Sequence, residues 1–330
     1  MKFLALRSVC LLGLLSCGLP MLAKTAAVHP GAVWLDDRGQ PIQAHGGGIL
    51  HWKKTYYWFG EDRTQSNDPE KRYVSCYASS DLAHWQFRGQ VLALADPAHL
   101  GAAWVLERPK VFYIAQTGKF VMYAHLDDAH YRLAQVAVLV SDRVDGPYRF
   151  LKSFRPLEQE SRDIGQFVDD DGSAYLIFEA RPTKGFFIAR LAADGLSVEK
   201  QMSFIPAPLE GGALAHVNGL YYVIGSHMTG WNPNPNVYAT APALTGPWSA
   251  FQNLAPPEAN TYEAQSSMLV KVAGSKTTSV LFMGDIWKPK SQWDSRYLWM
   301  PLEMKDGALH LPPPQPWSID LKTGETTLLR

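Results

Sequence analysis

The sequence has few cysteines, no excess of either charge and no long amphipathic helical pattern. Of its three cysteines, Cys10 and Cys17 lie close to the start, so Cys76 alone is left for the rest of the chain and cannot form an internal disulfide. The 31 acidic and 31 basic side chains balance, so no overall field attracts nucleic acid or an anionic membrane. The fold must therefore depend on apolar packing, and nucleic acid is not an expected partner.

Long apolar runs are also absent, except for a short one near the start of the chain. Two basic residues precede the apolar stretch from Val9 to Leu15, and small residues follow it. This order predicts a secretory signal peptide over residues 1–25 and a periplasmic or secreted protein. The stretch is too short to span a bilayer, so no membrane span is predicted. A lipoprotein anchored at Cys17 is the weaker alternative, because Leu15 is bulky where a small residue is usual.

Glycine beside short apolar runs is the first feature that the sequence does contain, in AHGGGILHWKKTYYWFGE at residues 44–61. A phosphate-binding loop would place such glycines between a strand and an amphipathic helix. Here Gly46 to Gly48 lead into two apolar runs around a turn at Lys53 and Lys54, which is the pattern of a β-hairpin. The glycines are therefore not predicted to bind phosphate.

The same apolar hairpin occurs five times, and a more polar hairpin follows each copy. Two of the turns are Asp171-Gly172 and Asn218-Gly219, the residue pairs most typical of tight hairpins. Five four-stranded repeats predict an all-β fold, a five-bladed β-propeller with four antiparallel strands per blade, over residues 30–330. A pair of β-sandwiches is the main alternative, but it does not explain the regular alternation of apolar and polar hairpins. The later copies of the apolar hairpin begin at Arg108, Gly165, Gly211 and Ser266.

Polar residues stand at both ends of each predicted hairpin. In a propeller the first strand of a blade lines the central channel and the second runs antiparallel to it. The start of the first strand and the end of the second therefore lie at the same opening of the channel, which we call the mouth. Converging polar groups in a concavity indicate a functional site. Several carboxylates at a narrow mouth raise the pKa of at least one, and glycoside hydrolysis needs such an acid together with a base. The mouth positions are His45, Glu107, Asp163, Glu210 and Gln265 before the first strands, and Glu61, His125, Glu179, Ser226 and Asp285 after the second.

Several segments resemble glycoside hydrolase family 43, and within it the exo-β-1,3-galactanase subfamily. They include AHGGGILHWKKTYYWFGE, ERPKVFY, LEGGALAH and EAQSSMLV. The family is a five-bladed propeller of inverting enzymes, so the resemblance agrees with the repeat count. It implies that Glu210 is the general acid and that Glu107 modulates its pKa and orients it. Most of the family has an aspartate base where this chain has His45, and Gln265 matches the glutamine that positions water in the subfamily. A neutral amide is a poor base, so either the imidic tautomer of Gln265 acts as the base or Gln265 only orients the water.

The resemblance also implies the substrate and its contacts. We expect an inverting exo-enzyme that removes terminal β-galactosyl residues from β-1,3-galactan or arabinogalactan-type oligosaccharides, acting as a monomer without cofactor or metal. An α-L-arabinofuranosidase, a β-xylosidase, or a propeller that binds carbohydrate without catalysis are the alternatives. Trp231 is the candidate stacking platform, and Glu179 departs from the subfamily pattern. The predicted substrate contacts are His45, Glu61, Tyr131, Asp163, Glu179, Thr229 and Trp231.

Overall fold

The computed structural model describes residues 26–329, and the predicted signal peptide at residues 1–25 lies outside them. The described chain is almost entirely β-structure, in five consecutive blades. The innermost strands close a ring, because each contacts the innermost strand of the next blade and the fifth contacts the first. The predicted all-β, five-bladed propeller with four antiparallel strands per blade is confirmed. Among the described residues, no helix is long and apolar enough to cross a membrane.

The strands follow the predicted repeats in order. Blade one contains β1 (His45–Trp52), β2 (Thr55–Glu61), β3 (Lys71–Ser79) and β4 (Gln86–Ala95). Blade two contains β5 (Val105–Ile114), β6 (Lys119–Asp127), β7 (Gln135–Ser141) and β8 (Arg149–Phe154). Blade three contains β9 (Ile164–Val168), β10 (Ala174–Ala180), β11 (Gly185–Leu191) and β12 (Val198–Ile205). Blade four contains β13 (Leu209–Val217), β14 (Leu220–His227), β15 (Val237–Ala241) and β16 (Gln252–Asn253).

Blade five joins the two ends of the described chain. Its paired strands are β17, β18 and β19, and short hairpins follow them. At the edge of β19 that faces away from β18, the Tyr297 carbonyl accepts a hydrogen bond of 2.8 Å from the Gly31 N–H. Val28 pairs with Trp317, so the N-terminal segment is held against the last blade. The bounds are β17 (Gln265–Ala273), β18 (Thr278–Ile286), β19 (Arg296–Pro301), β20 (Glu303–Lys305), β21 (Ala308–His310), β22 (Trp317–Ile319) and β23 (Thr326–Leu328), with 3-10 turns at Pro156–Glu158, Pro257–Glu263 and Gln292–Asp294.

Apolar side chains fill the spaces between neighbouring blades. Strands that are covered on both faces carry near-continuous apolar runs, as the inner strands here do. Between blades one and five, the Trp58 ring lies 4.7 Å from that of Trp299 and 5.3 Å from that of Trp85, measured between ring centroids. Three further clusters fill the spaces between blades one and two, two and three, and three and four. This packing leaves the strand ends at one mouth free to carry polar groups.

Candidate active site

A cavity of about 340 Å³ opens at the mouth where the predicted polar residues lie. The strand register brings the predicted positions together in pairs: His45 lies opposite Glu61, and Gln265 lies opposite Asp285. The two ends of these hairpins therefore meet at one mouth, as the repeat predicts. The cavity is lined by Glu61, Glu107, Arg108, His130, Tyr131, Asp163, Arg181, Glu210, Gly230, Trp231, Gln265 and Trp287.

A β-bulge follows the mouth residue in three of the inner strands. The register shifts directly after His45, Glu107 and Glu210. The next residue has a left-handed backbone in each case, with φ of +55° at Gly46, +55° at Arg108 and +65° at Gly211. A bulge bends its strand and re-aims side chains, and it is over-represented next to active sites. Glycine adopts this conformation without strain, whereas the arginine in blade two does not.

The strained position in blade two places the Arg108 guanidinium at the centre of the mouth. Its Nη1 donates to the Ser266 carbonyl over 2.8 Å, and its Nη2 lies 2.8 Å from Asp163 Oδ2 and donates to Gln265 Oε1. The Arg108 backbone N–H donates to Glu61 Oε1 over 3.0 Å. One arginine therefore connects blades one, two, three and five. This set of contacts is enough to hold its backbone in the left-handed region.

Glu210 has the electrostatic environment of a general acid. Its residue is 6% exposed, and burial raises the pKa of its carboxyl group to about 8, with a further contribution from the Asp163 carboxylate. The positive charges of Arg108 and Arg181 oppose this shift in pKa but do not cancel it. The Glu210 carboxyl group therefore carries a proton at neutral pH. Asp163 is the carboxylate that contributes most to this rise in pKa.

Glu107 has the opposite environment. Burial alone would raise the pKa of its carboxyl group, but His125, Arg63 and the Tyr131 hydroxyl together lower it to about 2. His125 Nδ1 lies 3.4 Å from Glu107 Oε2, and Tyr131 donates to Glu107 Oε1 over 3.1 Å. The other ring nitrogen of His125 lies 2.9 Å from Asp127, and these two carboxylates raise the pKa of the imidazole to about 9 against the effect of burial. Glu107 is thus ionised and His125 is charged at neutral pH.

Gln265 lies between these groups and Glu210. Its Oε1 accepts hydrogen bonds from Arg108 Nη2 and from Trp287 Nε1, the latter over 2.9 Å. Its Nε2 donates to Glu210 Oε1 and to Ser226 Oγ, each over 3.1 Å. The amide therefore makes four hydrogen bonds to protein groups, and one of them reaches the acid.

The predicted contact Glu61 lies in the cavity lining but is held firmly by the protein. Its carboxylate is bound by the Arg63 side chain and by the Arg108 backbone N–H. Burial raises the pKa of Glu61, and the charge of Arg63 opposes that rise. Tyr131, Asp163 and Trp231 also line the cavity, as expected from the sequence. Arg63, Arg108 and His125 already supply positive charge to the carboxylates at this mouth.

Three predicted substrate contacts are not in the cavity lining. His45 is 0% exposed, and its ring stacks on Tyr297 at 5.1 Å below the mouth. Glu179 is also 0% exposed, because it faces inward on β10, and burial raises the pKa of its carboxyl group well above the usual range. Thr229 turns into its own loop, where its hydroxyl donates to the Asn232 carbonyl over 2.5 Å. None of these three side chains lines the cavity.

Five lining residues are not among the predicted site residues, namely Arg108, His130, Arg181, Gly230 and Trp287. Two of them, Arg181 and Trp287, come shortly after predicted mouth positions. Arg181 follows β10 directly, and its Nη2 lies 3.6 Å from Glu210 Oε2. Trp287 follows β18 directly and contacts the Trp231 ring edge-on at 5.4 Å. Both lie two residues beyond a predicted mouth position, Glu179 or Asp285. Reading each second strand two residues further would have found them.

The acidic segment from Asp169 to Gly172 is the turn between β9 and β10, as predicted. Asp169, Asp170 and His216 each place one ligand atom within 4.8 Å of the others. Lys271 Nζ lies 2.7 Å from Asp170 Oδ1, so a cation of the protein already occupies part of this cluster. The cluster is at the opposite end of the blade from the cavity.

Comparison with known proteins identifies the relatives of this chain. The family model described as glycosyl hydrolases family 43 matches residues 43–284. A search of curated proteins gave no match. The structure is similar to the exo-β-1,3-galactanase from Phanerochaete chrysosporium, solved as a glutamate-to-glutamine variant with β-1,3-galactotriose. The identity is 37% and the TM-score 0.86, over 92% of this chain and 71% of that one.

Two further solved structures are similar over most of this chain. The exo-β-1,3-galactanase from Clostridium thermocellum is 35% identical with a TM-score of 0.83, over 92% of this chain and 69% of that one. A family 43 β-1,3-galactosidase, solved with galactodeoxynojirimycin, is 35% identical with a TM-score of 0.77, over 86% of this chain and 97% of that one. The family match spans most of the propeller and includes every residue to which the resemblance gave a role, whereas Asp285 and Trp287 follow it. The protein is a glycosidase, and the chain belongs to glycosyl hydrolase family 43.

Proposed function

We propose that the protein is an inverting, exo-acting glycoside hydrolase that removes terminal β-galactosyl residues from β-1,3-linked galactan or arabinogalactan-type oligosaccharides. The observation that carries the chemistry is the protonated Glu210 carboxyl group in a mouth that also holds the ionised Glu107. When the pKa values of two carboxyl groups are shifted in opposite directions, one group is protonated and the other is ionised at the same pH. This difference is what acid and base catalysis by two carboxyl groups requires. The sugar is proposed from the galactan-cleaving relatives of similar fold.

The Glu210 carboxyl group supplies the proton for the leaving oxygen. When the glycosidic C1–O bond breaks, its electron pair goes to that oxygen, which takes the Glu210 proton. The cleavage leaves positive charge on the sugar ring. The carboxylates of Glu61, Glu107 and Asp163 lie in the same lining and stabilise that charge, because they are fixed before the reaction by Arg63, Arg108 and His125.

The dimensions of the cavity favour a terminal sugar over a long internal segment. At about 340 Å³ it lies at the small end of the range of ligand pockets, roughly 300–1,000 Å³. Trp231 is 43% exposed at its rim and is held edge-on by Trp287, so it offers a flat apolar face to a sugar ring. A pocket with one aromatic wall and one carboxylate wall suits a galactosyl unit, which has an apolar face and a polar edge.

The test is hydrolysis of β-1,3-galactobiose with the product anomer followed by proton NMR. We expect galactose to appear first as the α-anomer, because water attacks the face opposite to the leaving group. Initial release of the β-anomer would contradict an inverting mechanism. The p-nitrophenyl β-galactoside, β-xyloside and α-L-arabinofuranoside are the parallel substrates, and faster cleavage of either of the last two would overturn the proposed sugar.

A further inference from the structure

The hydrogen bonds of Glu210 determine which of its two carboxyl oxygens carries the proton. The NH₂ group of Gln265 donates to Glu210 Oε1 over 3.1 Å. The oxygen that accepts this bond is the carbonyl oxygen of the protonated carboxyl group. From the described residues no hydrogen bond reaches Glu210 Oε2. The proton of the acid is therefore on Oε2, and this atom gives it to the leaving oxygen.

The Arg181 side chain is the protein group beside that oxygen. It follows β10 directly, it lines the cavity, and its Nη2 lies 3.6 Å from Glu210 Oε2. The leaving oxygen must come within hydrogen-bond reach of the proton donor. A group this close to Oε2 therefore lies beside the leaving group. Because 49% of the Arg181 side chain is exposed, it lies on the open side of the cavity.

The guanidinium of Arg181 has hydrogen-bonding capacity that the protein does not use. Arg63 and Arg108 are each held by a carboxylate, at 2.9 Å and 2.8 Å. In the part of the chain that the structure describes, the Arg181 side chain makes no hydrogen bond, and its one carboxyl neighbour within 4 Å is the protonated Glu210. A guanidinium has five N–H donors in a fixed fork that matches the two oxygens of a carboxylate. Arg181 thus offers an unpaired cation to a bound ligand.

A positive charge at this place works against the proton donor. Burial and the Asp163 carboxylate raise the pKa of the Glu210 carboxyl group, whereas the charges of Arg108 and Arg181 lower it. Arg108 also holds Asp163 and Gln265, so its charge has a second use. Arg181 holds no protein group. Its charge is favourable for the acid only when a negative charge on the substrate lies beside it.

We propose that Arg181 binds a carboxylate on the leaving group, so that the preferred substrates carry the terminal galactosyl unit on an acidic sugar, a uronate. This inference rests on the proposed function. A guanidinium and a carboxylate form two parallel hydrogen bonds, whereas a single sugar hydroxyl does not offer that pair of acceptors. Because Arg181 is about half exposed, the pair forms without complete burial of either charge, which would be costly.

The first experiment compares leaving groups that differ in charge, in the β-galactosides of hydroxybenzoate and hydroxybenzamide. The 3- and 4-substituted isomers of each are used, since the position of the charge decides whether it reaches Arg181. The readout is the kcat/KM for the benzoate divided by that for the benzamide. We expect this ratio to fall about fivefold in Arg181→Gln. Comparing the ratio between proteins cancels the different reactivity of the two phenols.

Arg190→Gln is the matched control for Arg181→Gln. Arg190 lies on β11 of the same blade and its side chain is 42% exposed, but it does not line the cavity. The ratio should be the same in this variant as in the wild type. If the ratio is unchanged in Arg181→Gln for both isomers, Arg181 does not recognise charge and the proposal is overturned.

The second experiment reverses the charge. Arg181→Lys keeps the positive charge without the fork and should keep part of the preference for the benzoate. Arg181→Glu should lower the ratio below that of Arg181→Gln, because it repels the benzoate. High salt should reduce the ratio in the wild type and not in Arg181→Gln. Equal ratios in Arg181→Glu and Arg181→Gln would contradict the proposal.

The third experiment uses disaccharides that differ only at C6 of the leaving sugar. The wild type should cleave galactosyl-β-1,3-galacturonate with a higher kcat/KM than β-1,3-galactobiose, and Arg181→Gln should lose that preference. A galactobiose with a sulfate on O6 of the leaving sugar separates a carboxylate from anions in general. Faster cleavage of the sulfated disaccharide than of the uronate would overturn the choice of a uronate, and faster cleavage of unmodified galactobiose would overturn the proposal.

The pH profile distinguishes this role from a merely structural one. Arg181→Gln removes a charge that lowers the pKa of Glu210, so the alkaline limb of kcat/KM on the benzamide should move to higher pH. The limb should stay in place in Arg190→Gln. An alkaline limb that does not move in Arg181→Gln would show that the Arg181 charge does not act at the acid. The groups that face Glu210 are Asp163, Glu179, Arg108, Arg181 and Gln265.

Binding of the acidic sugar is also measurable without turnover. Saturation-transfer NMR detects weak complexes, and the probes are methyl β-glucuronide and its neutral analogue methyl β-glucoside. Transfer to the glucuronide should be weaker in Arg181→Gln than in the wild type and in Arg190→Gln, with no such difference for the glucoside. Equal transfer to the glucuronide in the wild type and Arg181→Gln would overturn the inference. Because no galactoside is cleaved, this result decides the inference even if the proposed function fails.

Discussion

Glu107 and Glu210 hold the same place in two different blades, and the protein gives them opposite acidities. Each lies near the start of its inner strand, and a β-bulge follows it directly. The first residue of that bulge has a left-handed backbone. Glu107 faces His125 and Arg63, and the pKa of its carboxyl group is about 2. Glu210 is buried near the Asp163 carboxylate, and its pKa is about 8. The repeat determines where each glutamate lies, and the neighbouring charged groups determine the pKa of its carboxyl group.

The difference begins with the residue on the opposite strand. The register pairs Glu107 with His125 and Glu210 with Ser226. A histidine backed by the Asp127 carboxylate provides a positive charge, whereas a serine does not. The residue on the second strand is therefore one source of the difference in pKa, together with Arg63 and Tyr131 at Glu107 and with Asp163 at Glu210. Variants that change either environment test this comparison directly.

The largest expected effect is the loss of the proton donor. Glu210→Gln should lower kcat on β-1,3-galactobiose by roughly 10²–10⁴-fold, because the leaving galactose needs a proton. The loss should be much smaller on 2,4-dinitrophenyl β-galactoside, whose leaving group is a weak base. Circular dichroism and thermal unfolding serve as controls for folding. Equal losses on both substrates would show that Glu210 is not the general acid.

The next effect concerns the bulge that aims Glu210. In Gly211→Ala the new Cβ would lie 2.9 Å from the Ser266 carbonyl oxygen, at a φ of +65°. We expect the free energy of unfolding to fall by roughly 2 kcal/mol, since the left-handed backbone alone costs about 1–2 kcal/mol for a residue with a Cβ. The activity should fall as well, because Glu210 is displaced.

Gly172→Ala is the matched control for that variant. Gly172 also has a positive φ, +83°, but a Cβ there meets no atom within 4 Å. It should show the backbone cost alone, about 1 kcal/mol, with unchanged activity. If Gly172→Ala and Gly211→Ala have the same activity, the bulge does not position the acid. Urea unfolding and kcat/KM on the galactobiose provide both measurements.

A smaller effect is expected where the charge of His125 is removed. His125 lowers the pKa of the Glu107 carboxyl group, so His125→Asn should raise that pKa from about 2 towards its ordinary value of 4.5. The acid limb of kcat/KM then moves up by about two pH units. The variant should lose several-fold in kcat/KM between pH 6.5 and pH 4, whereas the wild type and His84→Asn, a change at an exposed histidine, should not. An acid limb that does not move would exclude His125 as the group that keeps Glu107 ionised.

The sequence predicts much of this site because the propeller repeats. Hairpin turns such as Asn218-Gly219 establish the strand ends, and antiparallel pairing then places both ends of each hairpin at one mouth. The pairing of His45 with Glu61 and of Gln265 with Asp285 follows from that alone. Which pairs face the cavity does not follow, because the bulges re-aim the first residue of a strand.

Arg108 shows why the rest was not predictable. Nothing in ERPK signals a left-handed backbone, since glycine is the residue expected there and Gly46 and Gly211 occupy the equivalent positions. The conformation is imposed by tertiary contacts with Ser266 and Asp163, which come from other blades. The complete burial of Glu179 likewise depends on tertiary contacts and not on the local sequence. Residues at equivalent positions of repeats share a backbone position but not the neighbours that decide their exposure.

The smallest expected effects are on stability, and they have opposite signs for the two glutamates. The Glu210 pKa is raised to about 8, so between pH 4.5 and pH 8 the unfolded chain releases a proton that the folded protein keeps, and stability falls as the pH rises. The Glu107 pKa is lowered to about 2, so its contribution is present above pH 4.5 and is lost as the pH falls towards 2. Glutamine does not titrate. At pH 8, Glu210→Gln should therefore raise the Tm and Glu107→Gln should lower it, each by a few degrees for about 1–2 kcal/mol. At pH 4.5 the gain in Glu210→Gln should be absent. A Tm that moves in the same direction in both variants at pH 8 would show that the two carboxyl groups do not differ in acidity.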